Sequence, residues 1–475
     1  MTKGDYPYRF ERTSSIGALQ DRFASLEAGS QSGAQASLGG RIMSVRAHGK
    51  VAFADLRDSS ETVQLFAQLD ELGEDAFKNF LDLAVGDIVG AEGEVVRTKR
   101  GELSLLVSEV VVLAPCLRPL PEKWHGLTHV EARYRQRYLD LISNPEVANS
   151  ITARTRANTA VRRFLAERGF VEVETPLLQP IAGGAVARPF ITHHNALDID
   201  LYLRVAPELY LKRLLIGGLD RVYELNRSFR NEGVSTRHNP EFTMLEAYEA
   251  FADYEDTMAL VEELIRVIAG AVNGQTEVKI GERGVDLAQA FRRMTMFEAI
   301  SETAGLDLEE MWSDGDHDGL RSSAKEVGLD AAPDWGPGKL LAEVFELVAE
   351  KNIVEPTFVT GFPKEVSPLA KDHRTIPGFT EHADLVMGGM ELAAIYSELN
   401  DPDEQRRRFE QQAAARAAGD QEAALPDEDF LEALAYGMPP AGGFGLGIDR
   451  LLMLLLGEAS IREVILFPTL RPERS

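Results

Sequence analysis

The run from Arg221 to Tyr248 concentrates side chains that hold anions and flat rings. Arg221 to Arg230 reads as a strand, Asn231 to Pro240 as a polar loop, and Glu241 to Tyr248 as a returning strand. Side chains alternate along a strand, so Phe242, Met244, Glu246 and Tyr248 share one face. That face offers an aromatic platform, a carboxylate and a phenol. Arg230, Arg237 and His238 sit at the strand end and in the loop, where they suit phosphate oxygens through charge-assisted hydrogen bonds. An adenine on Phe242 with phosphates beside those cations makes a coherent nucleotide site. A plain antiparallel hairpin with a solvated charged loop accounts for the same residues equally well.

Two further segments carry chemistry. Asp384 and Glu391 flank a Gly-Gly turn and can hold magnesium, which binds through one or two carboxylates plus substrate phosphates. Period-two alternation then places Ala394, Tyr396 and Glu398 on one face, with an acid available to a cationic group. In a chain this acidic, a solvated surface role is the ordinary alternative for any one carboxylate. Near the C-terminus, Gly443, Gly445 and Gly447 strip one strand face of side chains, and Arg450 follows at the start of an apolar helix. A guanidinium there can lie across a flat ring; a tightly packed strand–helix turn accounts for the same residues. The segment is neither a P-loop, lacking Gly-Lys-Ser/Thr, nor a dinucleotide fingerprint, because its spacing is Gly-x-Gly-x-Gly.

The elements that position these residues divide the chain. The first part reads as about five short strands, including a strand starting at Gly40, Val51 to Leu56 around Phe53, and Thr62 to Phe66, a pattern that fits an OB-fold barrel. Arg118-Pro119-Leu120-Pro121 breaks regular structure. A helix capped by Ser150 follows, with Ala153, Ala157, Ala160, Val161, Phe164 and Leu165 at helical spacing and Gly169 past its end. Phe170 to Thr175 alternates as a strand, and helix-rich segments run from Tyr254 to Ala271 and from Leu399 to Ala424. The domains expected are 1–117, a linker at 118–150, and an α+β domain at 151–475.

The 475 residues carry a net charge of −26, which opposes nucleic-acid binding except through a local basic groove. Arg97, Lys99 and Arg100 form one basic cluster, and Arg133, Arg135 and Arg137 another; each reads first as a solvated face. A single cysteine, Cys116, excludes an internal disulfide and a thiolate-rich zinc site. No apolar run is long enough for a membrane span, and the start of the sequence has no secretory pattern, so a cytoplasmic protein is expected.

Together these segments resemble the three ordered motifs of class II aminoacyl-tRNA synthetases. Gly169 to Pro176 is similar to motif 1, Phe229 to Glu232 with Arg237 to Phe242 to motif 2, and Gly443 to Arg450 to motif 3. Within the class, Ile181 to Phe190, Ala206 to Lys212 and Tyr396 to Asp401 resemble the lysyl-tRNA synthetases. The resemblance implies an antiparallel-sheet catalytic domain behind an N-terminal OB-fold, acting as a homodimer on ATP, L-lysine and tRNA(Lys), with Mg2+. It assigns Arg230 and Arg450 to catalysis, and Arg230, Glu232, Arg237, His238, Asn239, Phe242, Glu391 and Arg450 to ATP. Asp384 and Glu391 would hold the metal. Gly184, Glu208, Arg230, Glu246, Tyr248, Tyr396 and Glu398 would form the lysine pocket, with Glu398 and Tyr248 nearest the ε-ammonium. Arg46, Phe53, Gln64 and Glu102 would read the anticodon. Departures are Ala394 where the family usually has Asn, Ile395 where it has Gly or Ala, and Met390 where Arg is common; Ile395 is expected to narrow the pocket. Ala394 and Ile395 motivate an alternative, a diverged paralogue acting on a lysine analogue or serving as an inhibitor-resistant duplicate.

Overall fold

The computed structural model describes residues 6–121, 127, 129–181, 183–185, 187–333, 335–417 and 426–472. The chain divides into two compact units, Met1–Thr128 and His129–Ser475.

The smaller unit is a closed barrel of β1 (Gln31–His48), β2 (Val51–Arg57), β3 (Thr62–Gln68), β4 (Ile88–Arg97) and β5 (Leu103–Ala114), in the order β1-β2-β3-β5-β4. Strict alternation drives it. Ala52, Ala54 and Leu56 of β2 and Val63, Leu65 and Ala67 of β3 are buried, and the residues between them face outward. β1 begins well before Gly40, because its first half pairs with β4 and its second half with β2, with a register shift between Ile42 and Ser44. That irregularity lets one strand turn the barrel's corner. Phe77 and Phe80 of the Glu74–Leu81 helix join the same core.

The larger unit is built on an eight-stranded sheet: β6 (Val171–Glu172), β7 (Arg221–Phe229), β8 (Glu241–Ala250), β9 (Arg292–Thr295), β10 (Thr357–Thr360), β11 (His382–Met387), β12 (Met390–Ser397) and β13 (Ala441–Gly447). The order is β9-β10-β11-β12-β13-β8-β7-β6, antiparallel except for the outermost pair at each edge. One face carries Leu245, Ala247, Ala393, Ile395, Phe444 and Leu446 into a core shared with helices Val147–Glu167, Tyr254–Asn273 and Ile448–Leu455. The other face is left for cavities.

Several details differ from the sequence-based expectations. The Val147–Glu167 helix starts a turn before Ser150, after Glu146, with no side-chain cap. Burying Val147 extends the apolar stripe by that turn. All six of the stripe residues foreseen are buried, and Gly169 has a φ of 78°, in the left-handed region. The strand foreseen from Phe170 to Thr175 shrinks to Val171–Glu172, which pair with Val222 and Tyr223 of β7; beyond them Val173 N–H still donates to the Tyr223 carbonyl. The helix foreseen through Ala424 is described to Ala417; residues 418–425 lie outside the described part.

Residues 118–150, expected as a linker, include helices Val130–Arg135 and Arg137–Ser143, both in the larger unit. Here the arginine cluster is not a solvated face. Arg137 is 1% exposed; its Nη1 lies 2.6 Å from Asp140 Oδ2, and it donates to the carbonyls of Leu466, Arg462 and Ile465. Arg133 bridges Asp140 and Glu463. Removing the buried cation takes the donor from Asp140 Oδ2 and from three carbonyls. Arg137→Met should therefore destabilise the larger unit by about 3–5 kcal/mol, read as a lowered urea midpoint at unchanged slope; an unshifted midpoint contradicts this.

Candidate active site

The sheet's register assembles the site. Asp384, Ala394, Gly445, Glu246 and Glu224 lie side by side across five strands, and His382, Tyr396, Gly443, Tyr248 and Val222 form the adjacent row. Glycines on β13 leave a trough between flanking side chains. A Cβ at Gly443 would collide with the Glu398 carboxylate and the Tyr248 ring. Phe444 and Leu446 point the other way, into the core.

Two cavities open along this trough. The first, about 270 Å³, is lined by residues that include Gly184, Glu208, Glu246, Tyr248, Ala394 and Tyr396. The second, about 630 Å³, includes Glu232, Arg237, His238, Asn239, Phe242, Asp384 and Arg450. Arg230, Met244 and Glu391 line both. The Arg230 guanidinium lies 5.2 Å from the Phe242 ring centroid, and its Nε is buried without an acceptor. A buried orphan donor on a cation at the junction of two cavities is suited to an anionic ligand.

The second cavity is organised by acceptors that hold its cations still. Arg450 donates through Nη1 to the Glu391 carbonyl at 2.8 Å and through Nη2 to His238 Nε2 at 3.0 Å. His238 Nδ1 lies 2.9 Å from the Ser235 hydroxyl. Burial, with Arg450, Arg230 and Arg237 nearby, holds the His238 pKa below the usual imidazole range, so the ring is neutral and Nε2 accepts. Arg237 reaches the Gly389 carbonyl at 2.7 Å, and Asn239 is fixed between Glu241 and Thr469 backbone groups. Glu232 is exposed on the loop.

Asp384 accepts at 2.8 Å from His382 Nε2, and His382 Nδ1 meets the Ser367 hydroxyl at 2.8 Å. Burial in the cleft wall and the neighbouring Asp384 charge push the Glu391 carboxyl above its usual range. Two carboxylates that repel one another in this way form a fitting pair for a divalent cation completed by phosphate oxygens. Among the described residues no cluster of three or more acidic, His or Cys ligands could hold a metal by protein groups alone.

The first cavity is acidic and dry. Glu246 is 5% exposed, and burial, with the Glu208 charge next, pushes its pKa up to about 8 against the pull of Arg204 and Arg230. Tyr248, also buried, lies 3.5 Å from Glu246 Oε2 through its hydroxyl, and its pKa is raised by burial. Glu398 is fully enclosed and does not line the cavity wall; its partner is Lys212, which the sequence reading left without a role. Ile395 does not narrow the cavity. It is 0% exposed in the core on the opposite face, as strand alternation requires, whereas Ala394 lines the wall. Met390 is 5% exposed, packed in the core and at the edge of the second cavity. The sequence reading also missed Ser367, Phe409 and Gln412, which complete the first cavity from loops and a helix with no motif of their own. In the Gly184 segment, Ala182 and Val186 lie outside the described residues.

On the barrel, Arg46, Phe53 and Phe66 stand opposite one another across β1, β2 and β3. Phe53 and Phe66 stack with centroids 5.0 Å apart and planes 6° from parallel. Gln64 accepts from the Ser104 hydroxyl at 3.0 Å, and Arg46 pairs with Asp55 at 2.9 Å. Glu102 is exposed on the β4–β5 turn. Phe66, missed earlier, was visible as the outward residue two positions beyond Gln64.

Comparison with known proteins decides the family. Residues 129–471 match the profile of tRNA synthetases class II (D, K and N), and residues 36–113 match that of the OB-fold nucleic acid binding domain. The chain belongs to the class II tRNA synthetases. It is 53% identical over 464 residues to a lysine–tRNA ligase of Moorella thermoacetica, a span covering 98% of this chain and 93% of the relative. It is 52% identical to one of Syntrophomonas wolfei over 98% of this chain and 93% of that protein. A third, of Xanthomonas oryzae, is 51% identical with coverage of 98% and 93%.

With its pKa pushed up to about 8, the Glu246 carboxyl would have to lose a proton to pair with an ammonium entering the first cavity, so such binding would release a proton below about pH 8. KM for the amino acid should fall as pH rises from 6 to 8, by up to about tenfold per unit, and level off above that. Glu246→Gln should flatten the profile between pH 7 and 8; an unchanged slope in that variant contradicts the assignment.

Proposed function

We infer that the chain is a lysine–tRNA ligase, which activates L-lysine with ATP and transfers it to the 3′ end of tRNA(Lys). The observation that carries this reading is Arg230, a cation whose buried Nε lacks an acceptor and which is shared by an acidic cavity and a cation-rich one. Lysine would lie in the first cavity with its ammonium toward Glu208, Glu246, Tyr248 and the Glu398 charge, flanked by Gly184 and Tyr396. ATP would lie in the second, its adenine between Phe242 and Arg450 and its phosphates near Arg230, Arg237, His238 and Glu232. Asn239 shapes the same wall.

The lysine carboxylate then attacks the α-phosphorus in line, the bond to the β-phosphate oxygen breaks, and pyrophosphate leaves. The terminal ribose hydroxyl of tRNA next attacks the carbonyl of lysyl-adenylate and releases AMP. No protein nucleophile is required; catalysis is positioning and charge neutralisation. Arg230 would touch both the α-phosphate and the amino-acid carboxylate. Magnesium, held through Asp384 and Glu391, would supply further neutralisation of phosphate charge. A neutral side chain in the first cavity would leave buried carboxylates unpaired, which is the basis of selection for lysine.

The barrel would receive the anticodon, with a base on the Phe53–Phe66 stack and Arg46, Gln64 and Glu102 at base edges. A homodimer is also proposed, through Val171 at the sheet edge and the exposed Leu177, Leu178 and Ile191 that follow it in the chain. No helix among the described residues is long and apolar enough to cross a membrane, which accords with a cytoplasmic enzyme. The diverged-paralogue alternative loses one of its two grounds, because Ile395 lies away from the cavity.

Lysine-dependent ATP–pyrophosphate exchange tests the reading. Exchange should exceed that with every other standard amino acid, and Arg230→Ala should lower kcat about 10²–10³-fold; no exchange with lysine above background refutes it. Phe53→Ala should raise KM for tRNA in aminoacylation by roughly 5- to 100-fold, the worth of one base stack, and leave the exchange reaction unchanged.

A further inference from the structure

Lys212 lies one helical turn past Glu208 on the Glu208–Ile216 helix and is 0% exposed. Its Nζ stands 2.5 Å from Glu208 Oε1, to which it donates, and 2.5 Å from Glu398 Oε2. The contact to Glu398 is an ion pair without hydrogen-bond angles, for neither Glu398 oxygen receives a hydrogen bond. Burial works against the ammonium's charge, but Glu208 and Glu398 outweigh it and raise the pKa, so Lys212 is charged. Burial pushes Glu398 up to about 7 against the pull of Lys212, and Glu208 adds to the rise. The chemistry derived above does not use Lys212.

We propose that Lys212 is a positioning residue for amino-acid recognition, holding Glu208 at the cavity wall and Glu398 beneath it. The inference rests on reading the first cavity as the lysine pocket. Glu208, Glu246 and Glu398 gather in one desolvated region, where like charges cannot all persist without a counter-ion. With Lys212 between them, Glu208 and Glu398 keep fixed places, and part of their negative charge is offset. A guest ammonium meets the charge that remains, and a guest with no side-chain charge leaves it unpaired. The missing Cβ of Gly443 gives Glu398 the room to lie beneath the wall. Glu208 both contacts Lys212 and lines the cavity, so a displacement of one is felt directly by the guest.

The experiment compares Lys212→Met and Lys212→Gln in the full-length protein, with lysine and ATP varied separately in pyrophosphate exchange. Lys212→Gln keeps a polar group between Glu208 and Glu398 and keeps the test open if Lys212→Met fails to fold. Both should raise KM for lysine roughly 10- to 100-fold, the range for losing a charge-assisted hydrogen bond. ATP KM and kcat should stay within about threefold of the parent, as expected for lost ground-state binding. Lys212→Arg should recover part of the loss. A parent-like lysine KM in a folded variant, with or without a lower melting temperature, overturns the proposal, as does an equal rise in both KM values. Absence of lysine-dependent exchange in the unaltered chain instead overturns the pocket reading, and this inference falls with it.

Discussion

Hydrogen bonding between neighbouring strands fixes which side chains can meet, and in the larger unit nearly every functional group depends on that register. β8, β13 and β12 are paired so that Glu246, Gly445 and Ala394 stand abreast, with Tyr248, Gly443 and Tyr396 one pleat along. A slip of one residue would send Phe444 and Ile395 into the trough and Glu246 into the core. The apolar half of each strand thus does more than stabilise the domain. By being insoluble, it prevents the polar half from taking any other address.

Desolvation governs what the polar half does. Glu246 in the first cavity and Glu398 beneath it are kept from water, and their affinity for protons rises accordingly. The second cavity has the opposite character, with burial and then Arg450, Arg230 and Arg237 depressing the basicity of His238. An acidic pocket and a basic one, joined at Arg230, form a gradient of potential along the trough. A zwitterionic amino acid with an added ammonium, lying beside a polyphosphate, matches that gradient from end to end.

Local chemistry made some of this legible in the chain and left other parts hidden. The alternation of Glu241 to Tyr248 and the stripe from Ala153 to Leu165 were readable, because each depends on neighbours two to four positions away. The same alternation also determined that Ile395 faces the core, but the expectation of a narrowed pocket weighed bulk and overlooked parity. Ser150 looked like a cap because its hydroxyl suits one; burial of Val147, a tertiary effect, moved the helix start. Lys212 had no signal at all beyond its spacing from Glu208, since a lysine in an amphipathic helix ordinarily faces water. Only folding brings Glu398 to it. The arginines at 133 and 137 were hidden for the same reason, their acceptors lying near the far end of the chain. The roles given to ATP, metal and anticodon residues came from family resemblance, and geometry adds to them the tethering of each side chain.

The clamp on Arg450 bears on the tempo of nucleotide capture. With one nitrogen on a carbonyl and another on a neutral imidazole, the guanidinium plane is set before any ring arrives. Its rotational freedom has already been surrendered during folding, so a purine meets a rigid shelf instead of a mobile side chain. Such a shelf accepts any flat heterocycle of suitable size. Distinguishing one base from another must therefore fall to edge contacts elsewhere in the cleft, and stacking alone would leave the enzyme indifferent.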